Sequence, residues 1–127
     1  MCIRDRYGVD LDERRLPQEA DRDELAISFT KGCYLGQETV ARIDALGRVN
    51  WKLVTLKVGD GSLTPQDLPS PETKLNTAEE EYSVGHVTSA VWSPKHSAPV
   101  AFALVRRESL EKSAELKIGA HAASVIA

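Results

Sequence analysis

The sequence predicts an α+β chain: a polar, helix-bearing stretch through residue 48, then an antiparallel β-barrel or sandwich over residues 49–127. Three observations carry this. Apolar residues recur at spacing three between Gln37 and Leu46, the period of a helix. From Val49 onward the pattern changes to alternation, in short runs separated by turn residues. The chain has 127 residues, 42% of them apolar and 28% charged, which suits one domain or part of a larger one and excludes disorder along its whole length.

The elements follow in order. Met1 to Arg6 reads unlike the rest and resembles the translation of a transposon-end sequencing adapter, so residues 1–6 are expected to be non-native and are set aside. On that expectation the coding sequence continues upstream of Tyr7. Tyr7 to Asp23 is turn-rich, broken by Gly8, Asp10, Asp12 and Pro17, and reads as an ordered loop lying on something larger. Asp23 to Phe29 is a short helical turn or an extended stretch. Thr30 to Gly36 is a loop with a glycine at position 32 and another at its end. Gln37 to Leu46 is a helix with Val40, Ile43 and Leu46 on one stripe, and Gly47 is its stop.

Val49 to Val58 is a half-buried strand whose even-numbered face is the more apolar beyond Lys52. Pro65, Pro69 and Pro71 make residues 59–73 a long loop. Further strands are expected at residues 73–76, 82–92, 100–106, 115–118 and 122–126, with Gly85 marking a bend or bulge. The run Glu79-Glu80-Glu81 reads as a solvated turn.

Composition narrows the function. Sixteen basic residues against nineteen acidic ones give a net charge of −3, without the basic excess of a nonspecific nucleic-acid binder. No apolar run approaches the roughly 20 residues of a membrane helix, and no export leader is read. Two cysteines, one of them in the set-aside segment, cannot form a disulfide framework, so a reducing cytoplasmic compartment is expected. His86, His96 and His121 lack metal-ligand spacing, and Trp51 and Trp92 read as core or rim aromatics.

The densest group of unusual residue choices is Lys31-Gly32-Cys33-Tyr34-Leu35-Gly36-Gln37-Glu38. A cysteine two residues from a lysine and just before a helix start sits in a positive field, as reactive cysteines do. A small buried apolar filler is the other reading of a free cysteine. Gln37 and Glu38 suit the first helical turn, where they satisfy orphan N–H groups and the dipole.

Lys31 to Arg42 resembles the signature of the YgfZ family, folate-binding proteins that assist iron–sulfur cluster assembly and are related to the glycine-cleavage T-protein, an aminomethyltransferase. The family pattern is Lys-Gly-Cys-Tyr-x-Gly-Gln-Glu, and every fixed position matches. Supporting blocks are Tyr7 to Glu13, Leu16 to Ala20, Gly47 to Asn50, Val84 to Ala90, Ser93-Pro94 and Ala101 to Arg107. The resemblance implies that residues 7–48 end a T-protein-like folate-binding lobe and that residues 49–127 are the C-terminal β-barrel. It implies Cys33 as the working residue, with Lys31 as the cation favouring its thiolate.

Tyr34, Gln37, Glu38, Arg42, Glu19 and Tyr7 are then the expected folate-side residues. Tyr34 would stack or hydrogen-bond, and Arg42 would pair with Glu38 or serve the site. The implied cofactor is tetrahydrofolate, bound mainly by the full-length protein. The implied partners are iron–sulfur enzymes or their assembly machinery, with a link to tRNA modification but no direct nucleic acid and no membrane. The full-length protein is expected to be a monomer, in the bacterial cytoplasm or, in a eukaryote, the mitochondrial matrix. One thiolate is too few to hold a cluster, which takes about four ligands. The alternative function is aminomethyl transfer itself. T-proteins resemble Asp-Phe-x-Gly-Lys-Glu at this loop, and the cysteine-bearing version favours the accessory factor.

Overall fold

The computed structural model describes residues 6–59, 61–77, 82–112 and 115–126. The adapter-like residues 1–5 and the expected turn at 79–81 lie outside the described residues. Among the described residues six strands close into an antiparallel barrel in the order β1-β4-β3-β2-β5-β6. They are β1 (Trp51–Val58), β2 (Lys74–Thr77), β3 (Gly85–Ser93), β4 (Ala98–Arg106), β5 (Leu116–Ile118) and β6 (His121–Val125). The ring closes where Leu56, Lys57 and Val58 of β1 pair with Val125, Ser124 and Ala123 of β6. A barrel this small has room inside only for side chains. Val54, Leu56, Val58, Leu75, Val87 and Val105 fill it with the small Ala101, Ala103 and Ala123 between them.

β1 shows why the strand reading worked and where it fell short. The even-numbered residues Val54, Leu56 and Val58 point inward and are buried, as the alternation predicts. Leu53 and its register partner Leu104 share the outer face, yet both are buried as well. The reason is the N-terminal arm, residues 6–26, which lies across this part of the wall. Leu53 lines a crevice with Gln18, and Leu104 lines another with Gly8, Val9, Asp10 and Leu11.

The arm holds a 3-10 turn (Pro17–Ala20) and the one-turn helix α1 (Asp23–Ala26). It has few apolar residues, and it docks instead through polar contacts. Lys52 pairs with Asp21 at 3.1 Å, and the Arg15 guanidinium lies 5.8 Å from the centre of the Trp51 ring. Helix α2 (Gln37–Leu46) has the expected bounds and ends at Gly47 in extended backbone. A second short helix, α3 (Arg107–Glu111), continues β4 and was not expected from the sequence.

Gly85 is not the bulge. It pairs with Leu75 of β2 and Val105 of β4, and a Cβ there would overlap the Leu104 carbonyl oxygen. Close backbone approach is what this glycine permits. The register of β3 against β4 breaks further on, between Val87 and Ser89, so that Thr88 is the extra residue.

Candidate functional site

The motif loop is built around the start of α2. Gly36 is the N-cap residue and adopts φ +84°, the left-handed region open to glycine. Its carbonyl accepts the Val40 N–H at 3.3 Å. The Tyr34 carbonyl accepts the Gln37 N–H at 3.2 Å, and the Gln37 side-chain oxygen accepts the Tyr34 N–H at 3.3 Å. These reciprocal bonds satisfy groups that a helix start otherwise leaves open. They also fix the turn that carries Cys33, Tyr34 and Leu35.

Cys33 is exposed and free. Within this chain its side chain is not a buried filler. The Lys31 ammonium lies 5.2 Å from the centre of the Tyr34 ring, a cation–π contact. Tyr34 and Gln37 are half-buried, whereas Lys31, Glu38 and Arg42 are exposed. Among the described residues no ion pair joins Glu38 to Arg42, although their spacing allows one. Exposed pairs of this kind gain only a few tenths of a kcal/mol, too little to hold two solvated side chains.

The other two expected residues lie apart from this loop's contacts. Tyr7 is 76% exposed and donates its hydroxyl to Glu13 at 2.9 Å, a bond that pushes the phenol above its ordinary range. Glu19, in the 3-10 turn, is buried. Burial pushes its carboxyl up. Arg15, 3.9 Å away, and the backbone bond at Leu16 oppose that only in part. Its Oε2 finds no hydrogen-bond donor. Neighbouring Gln18 donates its side-chain N–H to the Val40 carbonyl at 3.1 Å, tying the arm to α2, while its Oε1 is likewise buried without a donor.

One crevice, of about 580 Å³, runs between the arm, α2, β1 and α3. Gln18, Asp21, Ile43, Asp44, Lys52 and Leu53 are among its walls, and none of the eight expected site residues is. A second, about 410 Å³, lies beside Trp51, Arg106 and Arg107. Trp51 has Arg106 5.5 Å from its ring centre, in addition to Arg15.

The sequence reading missed Asp10. Its side chain accepts hydrogen bonds from the Thr88 and Ser89 hydroxyls at 2.6 and 2.5 Å, and from the Arg6 backbone N–H at 3.0 Å. The one available hint was the polar pair Thr88-Ser89 interrupting an apolar strand. Among the described residues no group of three His, Cys, Asp or Glu side chains is placed to hold a metal ion, and no helix is long and apolar enough to cross a membrane.

Barrel closure, strand order and the position of the motif before it define a class. The chain belongs to the family of the glycine cleavage T-protein C-terminal barrel domain, whose sequence model matches residues 52–127. Within that class its named relatives are YgfZ proteins. It is 42% identical over 66 residues to the tRNA-modifying protein YgfZ of Buchnera aphidicola subsp. Acyrthosiphon pisum (strain APS), covering 52% of this chain and 20% of that protein. It is 38% identical over 77 residues to the tRNA-modifying protein YgfZ of Cronobacter sakazakii (strain ATCC BAA-894), covering 60% of this chain and 22% of that one. A stretch of 22 residues is 82% identical to the YgfZ of Colwellia psychrerythraea (strain 34H / ATCC BAA-681), covering 17% of this chain and 7% of that protein. The chain thus spans about a fifth or less of the length of these relatives.

Proposed function

We propose that this chain is the barrel-bearing part of a YgfZ-like accessory protein that supports tRNA modification indirectly, by assembling or repairing iron–sulfur enzymes, with Cys33 as its working group. The observation that carries the reading is an exposed, free thiol on a turn held by Gly36 and Gln37, within a complete Lys-Gly-Cys-Tyr-x-Gly-Gln-Glu motif. Such a thiol is open to a macromolecular partner. All three relatives described above are named tRNA-modifying proteins. The acidic balance of the chain favours a protein client over the RNA itself.

Folate fits these residues at one point only. The buried Glu19 Oε2 lacks a donor, and the amino edge of a pterin ring is a donor. Tyr7, Tyr34, Gln37, Glu38 and Arg42 line none of the described crevices, so these residues alone do not make a pterin pocket. In our reading the full-length protein supplies most of it. The aminomethyltransferase reading has the barrel family in its favour. The loop sequence Gly-Cys-Tyr-Leu-Gly-Gln-Glu speaks against it.

The test is complementation. In cells lacking the endogenous protein, the full-length form should restore both the activity of an iron–sulfur enzyme and the content of modified nucleosides in tRNA. Cys33→Ser should restore neither while accumulating to the same level. Full rescue by the serine variant removes the thiol from the mechanism. Calorimetry with tetrahydrofolate should show binding to the full-length protein and little to residues 7–127; tight binding by the shorter form would move the pocket into this chain.

A further inference from the structure

We propose that Asp10 is a docking latch, received by a bulge in the barrel wall that is shaped for it, and that this carboxylate governs the release of residues 6–11 from the barrel, while Lys52–Asp21 and Arg15–Trp51 hold the following part of the arm. In a regular strand, neighbouring side chains point to opposite faces. Thr88 and Ser89 are neighbours, yet both hydroxyls meet the same Oδ1, at 2.6 and 2.5 Å. They can do so because Thr88 is the extra residue of the β3 bulge. Re-aiming a side chain is a recurrent use of bulges.

The other oxygen, Oδ2, accepts the Arg6 backbone N–H at 3.0 Å, a bond that any residue but proline at this position can make, and faces the Arg6 Nε at 3.4 Å, a contact that belongs to the set-aside segment. The carboxylate is therefore fully engaged, and its residue is 2% exposed although Tyr7, Gly8 and Val9 just before it are exposed. A buried charge is tolerated only when it is satisfied in this way.

The barrel side of the latch has a second partner in reserve. The Thr88 hydroxyl also lies 3.3 Å from the Phe102 carbonyl oxygen. A hydroxyl has one proton to donate, and the shorter bond to Asp10 takes it. When residues 6–11 lift, that proton turns to Phe102, and Asp10 is hydrated. Ser89, which is half-buried, turns its hydroxyl to water. None of the three groups is left buried and unpaired, so opening avoids the cost that normally locks a buried carboxylate in place. What opening does expose is Leu104, the outer-face leucine under this segment. Gln18 and the Val40 carbonyl tie the following part of the arm to α2, the helix that follows the Cys33 loop. The latch does not depend on what the thiol does.

Hydrogen exchange on the 127-residue chain tests this. The double variant Thr88→Val, Ser89→Ala removes both hydroxyls at nearly constant volume, and Asp10→Asn removes the charge. In each, the amides of Gly8, Asp10 and Leu11 should exchange at least about tenfold faster, with paired amides of β1 and β4 unchanged. Unchanged exchange in the arm for both variants would refute the latch. So would equal acceleration in arm and barrel, because Asp10 would then be an ordinary stabilising contact of one cooperative unit.

Discussion

At Gly85, β3 and β4 come close enough that one methyl group decides stability. A Cβ built there overlaps the Leu104 carbonyl oxygen and comes within 3.0 Å of the Val105 Cα. Both are backbone atoms of a paired strand and cannot swing aside. Gly85→Ala should therefore destabilise the barrel by at least about 3 kcal/mol, the upper end of what overpacking usually costs. The urea midpoint reads this directly, and a shift worth under about 1 kcal/mol would mean that the strands separate there more easily than the pairing implies. Thr88 makes the complementary point. Its place in the chain suggests an ordinary strand residue, and only the register break with β4 reveals that its hydroxyl serves Asp10, 78 residues away. Close approach at a glycine leaves a mark in the sequence. A hydrogen bond between distant segments leaves almost none.

Among the elements, α2 was the most legible and the arm the least. Val40, Ile43 and Leu46 gave the period of α2, and the flanking Gly36 and Gly47 gave its ends, so expected and observed bounds coincide. Even so, only Val40 of that stripe is buried, with Leu46 86% exposed. The 3-10 turn Pro17–Ala20 and α3 are four and five residues long, too short for any period to show. β1 and β3 begin two and three residues later than expected, at Trp51 and Gly85, because pairing with β4 rather than propensity sets those ends. The motif loop was legible as a glycine-rich turn, whereas its internal bonds and the Lys31–Tyr34 contact depend on side-chain positions that spacing does not give. Gly36 tests the loop as an element. A Cβ there meets no atom within 4 Å, so the only obstacle to alanine is φ +84°. Gly36→Ala should cost about 1–2 kcal/mol, and Gly36→Asn less, because asparagine tolerates the left-handed region. Equal losses for the two, measured by chemical denaturation, would show that something other than backbone conformation limits this position.

The whole molecule is an arm docked on a barrel, and two buried carboxylates on the arm give its stability opposite dependences on pH. For Asp10, burial favours the neutral acid, but the bonds from Ser89, Thr88 and the Arg6 N–H, with the Arg6 charge, outweigh it and hold the carboxyl below the usual range. Arg14, Arg15, Asp12, Glu72 and His86 line the crevice beside it. The unfolded chain then binds the proton more readily, so this contribution is present above about pH 3.9 and is lost as pH falls toward the folded value. Glu19 runs the other way. Burial pushes its carboxyl up, and Arg15 and the Leu16 backbone recover only part of that. Its contribution is complete below about pH 4.3 and declines as pH rises through the folded value. Stability should therefore peak in weakly acidic solution. Urea midpoints measured across the acid range should show Asp10→Asn lowering the curve and flattening its acid limb. Glu19→Gln should leave the acid limb intact and remove part of the decline above the peak. A Glu19→Gln curve parallel to wild type throughout would mean that this carboxyl is hydrated in solution, and that the arm around it stands open.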